Sequence, residues 1–140
     1  MEIKNEIFLY KGNQFFKSLN KLETSNELSG VEHFRLSLLV DKIQKLHESY
    51  QEAAQNVLDK YGEESEKGEG KVIPQDSDNY EDALEELEDL NSQSNQIAIT
   101  KPRVKVKEDT NLNSLDMRVL KDVIDFYVPE NKDKEEEDEE

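Results

Sequence analysis

The sequence predicts an α+β fold dominated by helices, with a long antiparallel helical hairpin on a small base of two to three short strands and two further helices. Three observations lead there. An apolar stripe with heptad spacing runs through residues 31–61. A shorter stripe with the same spacing follows at 76–91. Short apolar or alternating runs, bounded by turn residues, lie on either side of the two stripes.

Taken from the N-terminus, Ile7-Phe8-Leu9-Tyr10 reads as a strand over residues 6–10, ended by Lys11-Gly12. Asn13 is placed to cap a helix to about Leu22, with Phe15, Phe16, Leu19 and Leu22 on or near one face. Thr24 to Ser29 is a polar break, and Ser29 or Gly30 opens the main helix. Leu39, Ile43, Leu46, Tyr50, Ala53 and Val57 step by four and three, a heptad rhythm, and Val31, Phe34 and Leu38 extend the stripe upstream. Tyr61-Gly62 ends it with a C-terminal glycine signal. A helix of this length is a rod of roughly 45 Å. It must lean on a second helix or on another copy of itself.

The Glu-, Gly- and Lys-rich stretch 62–71 is expected to be a mobile loop. Asp76, Ser77 or Asp78 then caps a returning helix to about Asn91, whose Tyr80, Ala83, Leu84, Leu87 and Leu90 match the distal half of the main helix. Gln96 to Ile99 reads as a strand, and Arg103-Val104-Lys105-Val106-Lys107 as a half-exposed strand alternating basic and apolar residues. Asn113 or Ser114 opens a last helix over 114–128, with Leu115, Val119, Leu120, Val123, Ile124 and Tyr127 on its apolar face and Pro129 stopping it. One domain over 1–128 and a disordered acidic tail over 129–140 are expected.

Composition narrows the function. The chain has 140 residues and a net charge of −16, which opposes direct binding to nucleic acid or anionic membranes and leaves open a protein partner with a basic surface. The acidity is segregated: residues 62–100 carry twelve acids against two bases, and 129–140 eight against two, while 101–128 carries five against six. With no cysteine, disulfides, thiolate metal sites and thiol nucleophiles are excluded. No apolar run approaches the ~20 residues of a membrane span, and no basic-then-apolar leader opens the chain, so a cytoplasmic protein is expected.

Catalytic patterns are missing. His33 and His47 stand fourteen residues apart on one helix, about 21 Å, too far to share a metal. Counting from Asp76, Tyr80 and Leu87 occupy the fifth and twelfth places where a calcium loop needs oxygen ligands. The glycines follow no phosphate-cradling pattern and the serines have no nucleophile-elbow context. No cofactor, metal or catalytic residue is expected. A metal-dependent enzyme using the central carboxylates is the weakest of the readings considered.

Two charged features are candidate partner-binding sites. The first is the acidic helix, with Glu81, Asp82, Glu85, Glu86, Glu88 and Asp89; its plain reading is a solvated helix face, and its functional one a rigid array of carboxylates that mimics a nucleic-acid backbone. The second is the basic strand Lys101, Arg103, Lys105 and Lys107. Its plain reading is a charged edge that discourages pairing, and its functional one a docking edge for an acidic partner or for the acidic tail.

The succession of Phe15-Phe16, Leu58-Asp59-Lys60-Tyr61-Gly62, Tyr80-Glu81-Asp82-Ala83-Leu84-Glu85-Glu86-Leu87, Ile97-Ala98-Ile99 and Leu112-Asn113-Ser114-Leu115-Asp116 resembles a family of short, uncharacterised proteins encoded by tailed phages of Gram-positive bacteria. The resemblance spans most of residues 5–128 and excludes the acidic tail. It brings no catalytic residues. It implies a phage context, and hence the cytoplasm of a bacterial host and an accessory role in virion assembly or host control. The expected function is therefore a non-enzymatic protein that binds and inhibits or redirects a host protein through its acidic surface. The alternative is a virion structural or assembly factor that self-associates or packs on partners through its hairpin.

Overall fold

Capping side chains frame two of the four α-helices. The computed structural model describes residues 1–25, 28–64, 68, 70–107 and 110–128. Ser29 accepts the Glu32 N–H and opens α2, Gly30–Tyr61. Asn113 accepts the Asp116 N–H while the Asp116 carboxylate accepts the Asn113 N–H, a reciprocal capping box that opens α4, Ser114–Leu120. Between them lie α1, Gln14–Glu23, and α3, Tyr80–Asn91. The fold is α+β and mostly helical, as the stripes predict.

Tyr50 on α2 reaches Asn91 at the end of α3, whereas Lys60 and Tyr61 reach Glu86 further back. The two helices therefore run antiparallel and form the expected hairpin. At its tip Gly62 is extended rather than left-handed (φ −81°). Glycine is needed there for another reason: a Cβ would run into the Leu58 carbonyl oxygen, to which the Gly62 N–H is bonded. Beyond it, β2 (Glu63–Glu64) pairs antiparallel with β3 (Lys71–Val72), so the ends of the expected loop form a short ladder.

Several boundaries move. The strand expected at 6–10 is a 3-10 segment over Asn5–Leu9, and the true strand, β1, is Glu2–Lys4. The cause is Asn5, buried, whose side chain donates to the Leu90 carbonyl and accepts from Asn95 while its N–H donates to the Gln93 carbonyl. These bonds turn the chain onto the C-terminus of α3. β1 pairs antiparallel with β4, Ser94–Gln96, two residues earlier than the expected strand. Ile97 and Ile99 pack on the core beyond the strand's end. Asn13 precedes α1 in left-handed geometry (φ 56°) and does not cap with its side chain. A turn over 74–80 delays α3 to Tyr80.

The last helix stops at Leu120 rather than 128. A turn follows, in which the Val123 and Ile124 N–H groups both donate to the Leu120 carbonyl and both side chains are buried. Asp125–Tyr127 then form β6, which pairs in parallel with β5, Arg103–Lys105. Aromatic and β-branched residues suit that pairing. Among the described residues the base thus contains two separate two-stranded sheets, with a third at the hairpin tip. The tail 129–140 lies outside the described residues.

The core gathers Ile3, Ile7, Phe15, Leu19, Leu22, Leu36, Leu39, Val40, Ile43, Val104, Leu112, Val119, Leu120, Val123 and Ile124. From α2 it takes positions 36, 39, 40 and 43, one face at helical spacing. The expected upstream extension of the stripe is reversed. Val31, Phe34 and Leu38 are 61%, 65% and 42% exposed. Phe34 and Ile43 are nine residues apart, about two and a half turns, and so point to opposite sides. Beyond Ile43 burial thins: among the described residues of the hairpin only Val57 and Ala83 are buried, and Leu46, Ala53, Leu87 and Leu90 are half-buried.

Candidate partner-binding surface

On α3, Ala83 faces α2 and is buried, and Leu87 and Leu90 flank it. Those contacts turn Glu81, Asp82, Glu85, Glu88 and Asp89 to solvent, all exposed. From Glu81 to Asp89 they span about 12 Å of helix. Among the described residues none of the five has a basic side chain in ion-pair distance. Glu81 and Asp82 lie in the first turn, where the helix dipole favours them.

Glu86, expected on the same surface, turns into the seam. Its Oε1 accepts from Lys60 Nζ at 2.9 Å and from the Tyr61 hydroxyl at 3.1 Å. The Lys60 contact holds the Glu86 carboxyl below its usual range, and Glu86 in turn helps raise the Lys60 ammonium to about 12. The acidic surface is therefore five carboxylates, with the sixth locking α3 to α2. Tyr50 to Asn91, at 2.6 Å, makes a second lock.

The four basic residues near β5 stand in different surroundings. Lys101 borders an open cleft of about 300 Å3 with Glu2, Lys4, Glu6 and Asp122. The Arg103 guanidinium lies 4.3 Å over the Tyr127 ring and 3.4 Å from Asp125. Its backbone N–H donates to Glu32 Oε2 at 2.8 Å, so a carboxylate from α2 occupies that backbone donor. Lys105 and Lys107 are exposed. A strand whose first N–H is covered and whose Arg is engaged is a protected edge.

The histidines divide. His33 is half-buried near Glu23, Leu36 and Ser37. His47 sits in an aromatic collar, 4.9 Å from Phe8 and 4.7 Å from Phe16, with Phe8 also 5.4 Å from Tyr50. Burial there lowers the pKa of His47 despite the opposing charge of Glu48. The packing makes His47 a link between the 3-10 segment, α1 and α2.

Asp116 is the structural carboxylate that sequence reading left unassigned. It is wholly enclosed and accepts from Ser18 Oγ at 2.6 Å, Lys21 Nζ at 2.9 Å and the Asn113 N–H at 2.9 Å. Burial pushes its carboxyl up, but Lys21, Ser18 and Asn113 outweigh that and hold it below the usual range. It ties α4 to α1. An acid three residues after a capping Asn is the signal that could have found it. Among the described residues no three His, Asp or Glu side chains gather as a metal site, and no helix is long and apolar enough to cross a membrane. No family model, curated protein or solved structure matches the chain.

Proposed function

We propose that this chain is a non-enzymatic accessory binding protein whose α3 face engages a basic surface on another protein and inhibits or redirects it. The observation that supports the reading is the set of five exposed carboxylates, in no ion pair among the described residues, on a helix fastened by Ala83, Glu86 and Asn91. A fixed array can present charges at constant spacing, as competition for a nucleic-acid groove requires, at little further cost in conformational entropy. The resemblance to phage-encoded proteins supplies the setting, a bacterial host whose nucleic-acid-handling proteins carry such grooves.

Affinity capture from a bacterial host, with the captured protein then purified, tests this. Binding is expected to weaken steeply with salt and to be competed by nucleic acid. Charge reversal at Glu81, Glu85 and Asp89 should abolish it. Binding unchanged in that triple variant would sink the proposal.

The second reading, a virion assembly factor working through helical packing, draws on the exposed Val31, Phe34 and Leu38 of α2.

A further inference from the structure

The side of α2 that faces away from the core is unlike the rest of this acidic protein. Val31, Phe34 and Leu38 stand 61%, 65% and 42% exposed along it. At the same helical spacing the row continues with Lys42 and Lys45, both exposed. Among the described residues neither lysine is in an ion pair. Asp41 borders the row, and Arg35 is engaged by Glu32. The result is a ridge about 21 Å long, apolar at one end and cationic at the other.

We infer that this ridge receives the acidic face of α3 from a second copy of the chain. The complement is on the same molecule. Leu84 is 42% exposed on α3, with Glu81 and Glu88 one turn to either side and Glu85 adjacent. Leu84 seats against Phe34 and Leu38, and Glu85 and Glu88 on its C-terminal side reach Lys42 and Lys45. α3 spans about 18 Å, a length matched to the ridge. Among the described residues both surfaces lack a complement: one has cations in no ion pair beside bare apolar side chains, the other anions in no ion pair beside a bare leucine.

The contact joins two different surfaces, so it is heterologous and propagates into rings or chains. A single short helix against one ridge buries less than the ~1,200 Å2 of stable complexes. Association is therefore weak, concentration-dependent and salt-sensitive. The inference takes the α3 face of the proposed function as its starting point and adds a regulation: self-association covers that face, and a strongly basic partner must displace a neighbouring copy to reach it.

Sedimentation velocity of the full chain, with no partner present, tests this separately from partner binding. At low salt the mean mass is expected to rise with concentration, and added salt to return it to one chain. K42E/K45E alone and E81K/E85K/E88K alone should remain single chains, with circular dichroism unchanged because every altered residue is exposed. Mixing the two variants should restore association, since acids then face bases at both contacts. A wild-type chain that stays single at every concentration overturns the inference, leaving the ridge to residues 130–140 or another protein and the proposed function untouched. Association that survives in both variants, or fails to return on mixing, overturns it as well.

Discussion

Asp116 shows how a single side chain can hold a small fold. It closes the α4 capping box, accepts from Ser18 and Lys21 on α1, and lies beside Val119 and Leu120 of the core. Asp116→Ala should cost about 2–4 kcal/mol, combining a lost cap with hydrogen-bonding groups left unpaired, as read from urea denaturation. Its carboxyl is held below the ordinary 3.8 in the folded state. That stability is present above the unfolded pKa and is lost as pH falls through the folded one. His47 acts at milder acidity. Its folded pKa lies below 6.5, so the unfolded chain takes up the proton first. Stability is full above 6.5 and falls as pH drops from there toward the folded pKa. His47→Phe keeps the aromatic packing and removes the proton. The variant should flatten the decline in denaturation midpoint between about pH 7 and pH 5.

At the scale of elements, α2 belongs to two environments. Its proximal face supplies Leu36, Leu39 and Ile43 to a closed core, while its distal part is covered mainly by α3, with Phe8 and Phe16 against its start and Lys71 paired to Asp59 near its end. Ile43→Ala should cost about 2–5 kcal/mol, and Leu46→Ala, half-buried in the hairpin, distinctly less. Native-state hydrogen exchange should show the amides of residues 50–61 and 80–91 opening at lower free energy than those of 36–43. Gly62→Ala should loosen the tip, since its Cβ meets the Leu58 carbonyl; earlier exchange at residues 58–61 is the readout.

These elements also show what the sequence could reveal. Stripes and caps are local signals, so α1, α2, α3 and the Asn113 cap were legible. The core face of α2 is not legible upstream, because Val31, Phe34 and Leu38 are apolar without being buried and their hydropathy cannot say which side the core lies on. β1, β6 and the 3-10 segment were hidden for another reason. Asn5 bonding to Leu90 and Asp125 to Pro102 are pairings across the chain, and no local pattern encodes them. For the acidic surface the residues were legible, but the inward turn of Glu86 depends on Lys60 and Tyr61 of a different helix.

Across the whole molecule the charge is arranged rather than spread. Five carboxylates of α3 project to solvent, Lys42 and Lys45 of α2 line the ridge that faces away from the core, and Glu32 covers the first N–H of β5. Raising salt should stabilise the fold slightly by screening self-repulsion while weakening every contact made through α3. Thermal denaturation and binding measured over one salt series should therefore move in opposite directions.

The continuity of α2 carries one more consequence. Helix continues for eighteen residues past Ile43, an arm of about 27 Å, and the ring stack of Phe8, Phe16, His47 and Tyr50 clasps it near the point where the core ends. Mechanically this is a lever with its fulcrum at the aromatic collar. A tilt of about 5° there swings the far end by roughly 2 Å, so a load taken up at the tip is felt at His47.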